Sequence, residues 1–273
     1  MADRKLPFTK MHGLGNDFVV IDDFIPATPG PVIDAQLAKR LCFRRLGVGA
    51  DQLLWLKKPS DANADLRMDV LNSDGSSAEM CGNGIRAVGL YLKKYSKLQG
   101  PRYRVDTAAG VKTIELKADG MVQVDMGAPK LGKQWKSGEV LRVGSRQYVF
   151  HEVSMGNPHA VIFVPDAQAV DLEKDGPVIE SNSRFPGRTN VEFVQIVSET
   201  QIRARIWERG AGATLACGTG ACASAVAALG LGKAKGKVRV VLLGGELEIE
   251  WAQGRPVLMT GPAAEVYRGE FNL

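Results

Sequence analysis

The sequence predicts an α+β fold made of two homologous halves, each a curled, mostly antiparallel sheet around one central helix. First, the phrase CGNG at residues 81–84 is nearly repeated as CGTG at 217–220, and each copy opens an apolar, helix-like run. Second, glycines and short strand patterns recur at a similar spacing in both halves. Third, alternating apolar and polar stretches, which are typical of strands, outnumber the helical patterns.

The repeat extends beyond the cysteine phrases. The two cysteines are separated by 217 − 81 = 136 residues, and five further features recur in the same order near that offset. Gly110, Gly120 and Gly127 of the first half correspond to Gly245, Gly254 and Gly261 of the second half. In the same way, Gly15-Asn16 corresponds to Gly156-Asn157, and Asp51-Gln52 corresponds to Asn190. We therefore predict one domain at 1–126, to which the tail 263–273 returns, and a second at 127–262. A pseudo-two-fold relating them would bring the helix starts to one cleft, the kind of place where ligands commonly bind.

The individual elements follow from periodicity and capping residues. Three helices are predicted, at 34–45 with Asp34 as the N-cap, at 82–98 and at 219–229. The last is rich in Ala, as expected of a helix buried tightly against a sheet. Period-two alternation and turn residues predict strands at 18–21, 53–56, 66–70, 160–164, 191–197, 201–207 and 246–250.

Composition narrows the classes of partner. The chain has 273 residues, of which 45% are hydrophobic and 24% charged, as in ordinary soluble globular proteins. No apolar stretch approaches the ~20 residues of a membrane helix, and residues 1–10 carry no signal-peptide core. We therefore expect a cytoplasmic protein with no membrane partner. The net charge of +5 is scattered and aromatic residues make up only 7%, so a small acidic ligand is favoured over nucleic acid.

Cysteine and histidine usage argues against a metal or disulfide scaffold. The four cysteines include no C-x-x-C pair, and the three histidines include no H-E-x-x-H motif. Cys42 and Cys222 are expected to be small core residues, as lone buried cysteines usually are. The duplicated context sets Cys81 and Cys217 apart from them.

Two thiols at helix starts suit the inversion of a carbon centre. A thiolate removes the α-proton from one face of the substrate while a thiol delivers a proton to the other face. The helix start lowers the pKa of a thiol, and its N–H groups stabilise the carboxylate on which negative charge develops. This stabilisation addresses the main difficulty of the reaction, which is forming a carbanion without an electron-sink cofactor. Asn72 and Glu208 are separated by the same 136 residues, so equivalent positions hold different side chains and suit a ligand with two distinct ends.

Three further polar residues fit either a structural or a functional role. Asn157 and Asn190 stand where an asparagine commonly serves as a turn or cap residue. A lone histidine such as His159 is commonly structural, and its place two residues after Asn157 makes a supporting role in the site equally reasonable.

The combination of motifs resembles the diaminopimelate epimerase family. The motifs run in the family's order from Met11 to Gly220, so the resemblance covers most of the chain. One departure is Ala213, where many members of the family have Glu. The motifs are HGLGNDF at 12–18, GVGADQ at 47–52, NSDG at 72–75, EMCGNG at 79–84, MGNPH at 155–159, RTNVEF at 188–193, ERG at 208–210 and ACGTGA at 216–221.

The resemblance implies a cofactor-independent homodimeric enzyme that interconverts LL- and meso-diaminopimelate in lysine biosynthesis. It also implies roles for individual residues. These are Cys81 and Cys217 as the two bases, the amides of Gly82, Asn83, Gly218 and Thr219 around the reacting carboxylate, Asn72, Asn157, Asn190 and Arg209 at the distal end, Glu208 near an amino group, and Asn16, Gln52 and His159 lining the pocket.

Three alternatives remain at this point. A proline racemase or hydroxyproline epimerase also uses two thiols, but its first site resembles CGHG, whereas this chain has Asn83. A non-catalytic redox or binding protein would form a reversible Cys81–Cys217 bridge and exchange no α-proton. A pyridoxal-phosphate racemase has little support, because no lysine stands in a recognisable phosphate-site context.

Overall fold

The computed structural model describes residues 5–24, 32–96, 98–144 and 146–273. Part of the N-terminal segment and Lys97, near the end of the helix predicted at 82–98, lie outside the described residues. The chain forms two compact units: unit 1 is Met1–Val124 with Gly261–Leu273, and unit 2 is Asp125–Thr260.

The described residues form four helices and nineteen strands. The helices are α1 (Ala35–Cys42), α2 (Gly82–Tyr95), α3 (Leu172–Glu180) and α4 (Gly218–Gly230). The strands of the first half are β1 (Lys5–Gly13), β2 (Asn16–Asp22), β3 (Gln52–Lys57), β4 (Leu66–Asn72), β5 (Ser77–Ala78), β6 (Arg102–Asp106), β7 (Lys112–Leu116) and β8 (Val122–Asp125). The remaining strands are β9 (Lys130–Leu131), β10 (Glu139–Val143), β11 (Arg146–Ser154), β12 (Pro158–Phe163), β13 (Asn190–Ser198), β14 (Gln201–Glu208), β15 (Gly212–Ala213), β16 (Lys237–Leu242), β17 (Gly245–Glu250), β18 (Leu258–Gly261) and β19 (Ala264–Asn272).

Unit 1 is a mixed, mainly antiparallel sheet. Strands β1 and β2 form an antiparallel hairpin, β3 lies parallel to β2, and β4 lies antiparallel to β3. Strand β6 is parallel to β4, and β7 and β8 continue in antiparallel pairing. The C-terminal strand β19 pairs with β1 in antiparallel register from Lys5 opposite Asn272 to His12 opposite Ala264.

Unit 2 repeats this order of elements and pairings. Strands β11 and β12 are antiparallel, β13 is parallel to β12, and β14 is antiparallel to β13. Strand β16 is parallel to β14 and antiparallel to β17, which in turn pairs with β18. Helices α3 and α4 follow the same strands in unit 2 that α1 and α2 follow in unit 1. The topology therefore confirms the predicted α+β fold with an internal repeat.

The central helix of each unit is nearly surrounded by apolar neighbours. Ten of the fourteen residues of α2 are buried, and ten of the thirteen residues of α4 are buried. Half of the ten buried positions in α4 are Ala, whose small side chains allow the backbone to approach the strands closely. This confirms the prediction made from the Ala-rich run.

The predicted helices form, with ends that differ by a few residues. Asp34 caps α1 as predicted, since its carboxylate accepts a hydrogen bond of 2.7 Å from the Leu37 N–H. Helix α1 ends at Cys42 rather than at residue 45, and α2 ends at Tyr95 rather than at residue 98. Helix ends are the least determined part of a periodicity argument, because the last turn depends on local capping.

Helix α3 was missed by the sequence analysis. Its segment contains Gly176 and Pro177, both of which disfavour a helix interior. The structure accounts for the glycine, because a Cβ at Gly176 would come within 2.6 Å of the Trp207 ring. Tertiary packing against β14 therefore outweighs the poor helix propensity of this segment.

Candidate active site

Cys81 lies at the residue that precedes helix α2, in an extended conformation. Its sulfur accepts a hydrogen bond of 3.3 Å from the Gly84 N–H, so the thiol itself caps the helix. The S–H group donates to the side-chain oxygen of Asn16 at 3.6 Å. The first turn of α2 thus offers the thiol both a donor and the positive end of the helix dipole.

Asn16 is held in one orientation by an acidic neighbour. Its side-chain Nδ2 donates to Asp51 at 3.0 Å, and its Oδ1 accepts from Asn83 at 3.3 Å. A carboxylate only accepts hydrogen bonds, so the amide nitrogen must face Asp51 and the amide oxygen must face Cys81. The hairpin turn before Asn16 has two positive φ angles, 57° at Leu14 and 88° at Gly15, as in the type I′ turns that join twisted strands.

The carboxylates behind Asn16 belong to a compact charge cluster. Arg44 donates to Asp17 at 2.8 Å and to Asp51 at 2.6 Å, and Lys10 donates to Asp17 at 2.6 Å. Burial alone would raise the pKa of Asp17, but the hydrogen bonds from Arg44 and Lys10 outweigh it and hold the pKa well below its usual range. Asp17 is therefore an acceptor at neutral pH.

Gln52 and Asn72 form a second hydrogen-bonded pair in unit 1. The Gln52 amide nitrogen donates to Asn72 Oδ1 at 2.9 Å, and Asn72 donates to Ser76 at 2.9 Å. Gln52 Oε1 is buried and has no hydrogen-bond partner among the described residues. An unpaired buried acceptor of this kind is stabilised when a ligand donor reaches it.

Cys217 precedes helix α4 in the same way, but its surroundings differ. The residue is only 5% exposed, and its sulfur lies 3.5 Å from the hydroxyl of Thr219. Burial, followed by the negative charge of Glu208, raises the pKa of the Cys217 thiol well above its ordinary value. A thiolate at this position therefore needs hydrogen-bond donors to form.

A chain of polar side chains leads from Cys217 into the core of unit 2. Asn157 donates to the Thr219 hydroxyl at 3.2 Å, and its oxygen lies 2.9 Å from His159 Nε2. His159 Nδ1 lies 2.6 Å from Glu192 Oε1, and both of these side chains are 0% exposed. The sequence analysis assigned no role to Glu192. The available signal was a charged residue inside the apolar strand β13, because a buried carboxyl group requires a partner.

Asn190 and the loop after β14 form the remaining group. Asn190 accepts a hydrogen bond of 2.9 Å from the Arg209 backbone N–H and donates to the Pro158 carbonyl at 2.8 Å. The Glu208 carboxylate accepts 2.6 Å from the Thr214 hydroxyl. Ala213, at which the sequence departs from the expected motif, is exposed on the short strand β15, and the next residue, Thr214, contacts Glu208.

The predicted site residues thus gather in hydrogen-bonded groups within each unit. Unit 1 joins Asn16, Cys81 and Asn83 in one group and Gln52 with Asn72 in another, and Gly82 opens α2. Unit 2 joins Asn157, His159, Thr219 and Cys217 in one group and Asn190 with Arg209 in another, with Gly218 opening α4. In the described part of the chain, no three His, Cys, Asp or Glu side chains cluster in the manner of a metal site.

Comparison with known families covers nearly the whole chain. The family model described as diaminopimelate epimerase matches residues 8–132 and 152–266. The chain belongs to the diaminopimelate epimerase family. The diaminopimelate epimerase of Pelotomaculum thermopropionicum is 47% identical, covering 97% of this chain and 98% of the relative. That of Carboxydothermus hydrogenoformans is 48% identical, covering 98% of this chain and 100% of the relative.

Solved structures show the same fold for this member of the diaminopimelate epimerase family. A hydroxyproline epimerase from Agrobacterium vitis matches with a TM-score of 0.71 at 15% identity, covering 99% of this chain and 93% of that one. A phenazine biosynthesis protein of the PhzF family from Bacillus anthracis matches with a TM-score of 0.74 at 14% identity, covering 99% and 100%. Among the described residues, no helix has the length and apolar character needed to cross a membrane.

Proposed function

We propose that this chain is an isomerase that interconverts LL- and meso-2,6-diaminopimelate. The observation that carries the proposal is the matched placement of two thiols, Cys81 and Cys217, each directly before the central helix of its unit. The 47% and 48% identity to curated diaminopimelate epimerases, over almost the full length of both chains, supports this substrate over other amino acids.

The proposed reaction uses the two thiols as an acid–base pair. A thiolate takes the α-proton, and the electron pair of the broken C–H bond passes toward the substrate carboxylate. The other thiol then gives its proton to the opposite face of the same carbon, which inverts the centre. One cysteine ends as a thiol and the other as a thiolate, so the reverse reaction runs with the roles exchanged.

The helix starts supply the stabilisation that this carbanion requires. The first-turn N–H groups at Gly82, Asn83, Gly218 and Thr219 point out of α2 and α4 at their positive ends, where a carboxylate is stabilised. Negative charge that accumulates on the substrate carboxylate during proton removal would be stabilised most strongly there. This arrangement allows the reaction to proceed without an electron-sink cofactor, and we propose that none is used.

The distal end of the substrate would be bound by the remaining polar residues. Diaminopimelate carries a second carboxylate and a second ammonium group, which require donors and acceptors respectively. Arg209 is the cation of the set, Glu208 is the anion, and the unpaired Gln52 Oε1 is a further acceptor. We assign the distal group to Asn72, Asn157, Asn190, Arg209 and Glu208, with Asn16, Gln52 and His159 as further lining residues.

Three broader proposals rest on family membership. We propose that the enzyme serves lysine biosynthesis, acts in the cytoplasm and forms a homodimer whose partner is a second copy of this chain. We propose the small-molecule substrate as its other partner, with no role for nucleic acid or membrane. Light scattering coupled to size-exclusion chromatography tests the dimer, since a monomer mass of 29.4 kDa would contradict it.

The function is tested by solvent exchange at the substrate α-carbon. The reduced, dialysed protein is incubated with LL-diaminopimelate in deuterated water, and stereochemistry and deuterium content are followed by NMR. We expect meso-diaminopimelate with deuterium at the inverted centre, without any added cofactor. Exchange on proline or hydroxyproline, with none on diaminopimelate, would overturn the proposal. Absence of exchange on all three substrates would instead favour a thiol protein with another function.

A further inference from the structure

A buried polar pair in unit 2 occupies positions that are apolar in unit 1. His159 and Glu192 are the third residues counted from Asn157 and Asn190, on neighbouring parallel strands. The third residues from Asn16 and Gln52, on the equivalent strands of unit 1, are Phe18 and Leu54. All four side chains are 0% exposed. The same pair of core positions is therefore polar in unit 2 and apolar in unit 1.

Hydrogen-bonding geometry indicates that the Glu192–His159 pair holds one shared proton. Glu192 Oε2 is buried without a hydrogen-bond partner among the described residues, an arrangement that is costly for a carboxylate. Burial raises the pKa of Glu192. The proton lies either on Glu192, which then donates to His159 Nδ1, or on His159, which then donates from Nδ1. In both cases His159 Nε2 also carries a hydrogen.

The shared proton determines the direction of the chain that leads to Cys217. The Nε2–H of His159 donates to Asn157 Oδ1, at 2.9 Å, so the amide nitrogen of Asn157 must face Thr219. This nitrogen donates to the Thr219 oxygen at 3.2 Å. Thr219 Oγ1 lies 3.5 Å from Cys217 Sγ, and when Cys217 is a thiolate only the hydroxyl can donate in this contact.

The corresponding series of hydrogen bonds in unit 1, which leads to Cys81, has the opposite donor-to-acceptor direction. Asp51 accepts from the amide nitrogen of Asn16, so the amide oxygen faces Cys81 and accepts its S–H. The side chain that follows Cys81 by two residues, Asn83, also donates to this oxygen, at 3.3 Å. Cys81 therefore donates to its asparagine, whereas Cys217 as a thiolate would accept from Thr219, the residue that Asn157 contacts.

We propose that Glu192 is a positioning residue for Cys217, acting through His159, Asn157 and Thr219 to direct a hydroxyl donor at the sulfur. The proposal deepens the function proposed above, on which it rests for the acid–base role of Cys217. Glu192 contacts no reacting atom. It sets the donor-to-acceptor direction of a series of hydrogen bonds. The last donor in the series, the Thr219 hydroxyl, stabilises the thiolate form of Cys217.

The charges around Cys217 show why such a donor is needed. Helix α4 contains no charged residue, and the ionisable groups facing the thiol are Glu208 on β14 and the Glu192–His159 pair on β13 and β12. Burial and negative charge at Glu208 both disfavour a thiolate. A shared proton keeps the Glu192–His159 pair neutral overall, and the Thr219 hydroxyl adds a favourable interaction with the anion.

The proposal is tested by the pH dependence of Cys217 alkylation in a Cys81→Ala background. Iodoacetamide modifies the thiolate, and mass spectrometry of the Cys217 peptide reports its rate separately from Cys42 and Cys222. We expect Glu192→Leu to move the midpoint upward by about one pH unit, the effect of losing one hydrogen bond to a charged group. Glu192→Gln should leave the midpoint unchanged, because its amide can still donate to His159 Nδ1.

A second variant protects the test against misfolding. The double substitution His159→Phe with Glu192→Leu introduces the Phe18 and Leu54 pair of unit 1, so no buried polar atom of the pair is left unpaired. It should show the same upward shift as Glu192→Leu. Thr219→Val should shift the midpoint similarly, and Thr219→Val combined with Glu192→Leu should add nothing further, because both substitutions break one chain.

The matched control is Asp175→Asn in the same background. Asp175 is another buried carboxyl group of unit 2 and accepts a hydrogen bond from Tyr148 at 2.6 Å, but it lies outside the chain. This variant should lose stability without moving the Cys217 midpoint. Equal shifts in Asp175→Asn and Glu192→Leu would show a general effect of destabilisation and overturn the proposal.

The outcome does not depend on the epimerase assay, because alkylation uses no substrate. An upward shift in a protein that exchanges no α-proton would support the hydrogen-bond chain and contradict the proposed function. Unchanged midpoints in Glu192→Leu and in the double variant would overturn the role of Glu192, whatever the enzyme's activity. A Glu192→Gln midpoint shifted as far as that of Glu192→Leu would overturn it as well.

Discussion

At the scale of single residues, the two thiols differ in their neighbours although they share one position in the repeat. Cys81 caps its helix through the Gly84 N–H and donates to an amide oxygen. Cys217 is more deeply buried and lies against a hydroxyl group. Two chemically identical side chains are therefore placed in different hydrogen-bonding environments, which suits the separate acid and base roles that we propose for them.

Replacing either thiol tests the two-base mechanism directly. We expect Cys81→Ala and Cys217→Ala each to abolish inversion of LL-diaminopimelate, because each removes the group that serves one face of the carbon. Circular dichroism and thermal unfolding should show an intact fold. Cys42→Ala is the control, since burial raises the pKa of that thiol to about 11 and leaves it protonated. Inversion near the wild-type rate in either active-site variant would contradict the mechanism.

Arg209 offers a second test at the residue scale. Its side chain is exposed, and its guanidinium donates to the Gly187 carbonyl at 3.3 Å. We expect Arg209→Lys to raise the KM for diaminopimelate by about tenfold, because lysine keeps the charge but loses the planar two-pronged donor. The measurement is a steady-state comparison with Arg255→Lys, an exposed arginine on another loop. An unchanged KM would remove Arg209 from the distal site.

At the scale of secondary structure, helix α3 holds the loop that carries Arg209. Its last residue, Glu180, accepts hydrogen bonds from Trp207 Nε1 at 2.7 Å and from the Gly210 N–H at 2.9 Å. Arg188 adds a contact of 3.3 Å to the same carboxylate. Burial alone would raise the pKa of Glu180, but the hydrogen bonds from Trp207, Gly210 and Arg188 lower it below the usual range. The helix end therefore fixes both sides of the turn after β14.

Glu180→Gln should weaken substrate binding and change how the free energy of unfolding depends on pH in the acid range. An amide presents a donor where the carboxylate only accepts, so we expect a loss of about 1.5–3 kcal/mol in the free energy of unfolding at pH 7. We also expect an increased KM. Because the pKa of Glu180 is lower in the folded state, its contribution is present above the unfolded value of about 4.3 and disappears as the pH falls through the folded value.

Urea unfolding measured between pH 2 and pH 7 checks this sign. The difference between wild type and Glu180→Gln should shrink toward acid pH. A difference that grows as the pH falls, or a KM equal to that of wild type, would show that the helix end does not hold this loop through its charge. Glu173→Gln, in the first turn of the same helix, is the control.

At the scale of the whole molecule, the last strand of the chain completes the first unit. Strand β19 pairs with β1 over eight residue pairs, and Glu265 accepts hydrogen bonds from Tyr95 and Lys94 of α2. Removal of residues 263–273 would expose the whole edge of β1 and leave its backbone groups without partners. The domain boundary predicted between residues 126 and 127 stays a prediction, and this truncation tests where the tail belongs.

We expect the truncated chain to lose protection of β1 amides in hydrogen exchange while β13 amides stay protected. Edge strands without a partner open locally at a fraction of the global free energy. A chain shortened by Leu273 alone, which follows the end of β19, is the control and should behave as wild type. Full protection of β1 in the chain that ends at Pro262 would contradict the role of the tail.

Most of the fold could be predicted because the sequence states its pattern twice. The alternating pattern occurs in both β4 and β14, and the cysteine phrase precedes both α2 and α4. Each assignment in one half was therefore supported by the equivalent segment in the other half. Helix α3 had no such support, because α1 begins with a clear Asp34 cap whereas α3 contains Gly176 and Pro177. Local propensity there is overruled by packing on Trp207, and propensity rules contain no information about that packing.

The candidate site likewise combines features that are local in sequence with contacts between residues that are far apart in sequence. Cys81 and Cys217 could be named from the sequence, because glycine-rich helix starts and their spacing are local features, and the polar residues of the motifs were named from the resemblance to the family. Glu192 could not, since its partner His159 is 33 residues away along the chain and meets it only through the parallel pairing of β12 with β13. The pairing of Asn16 with Asp51, 35 residues apart, is hidden from sequence for the same reason.

By itself, the sequence determined the repeated α+β fold, the two thiols and the family. These properties depend on residue type, periodicity and spacing, which a single chain displays directly. Only the tertiary structure decided the helix at Leu172–Glu180, the partner of β1 and the hydrogen-bond partners of each thiol. Those features depend on which atoms meet across strands distant in sequence. A hydrogen bond acquires a direction only when both of its partners, and the partners behind them, are in place.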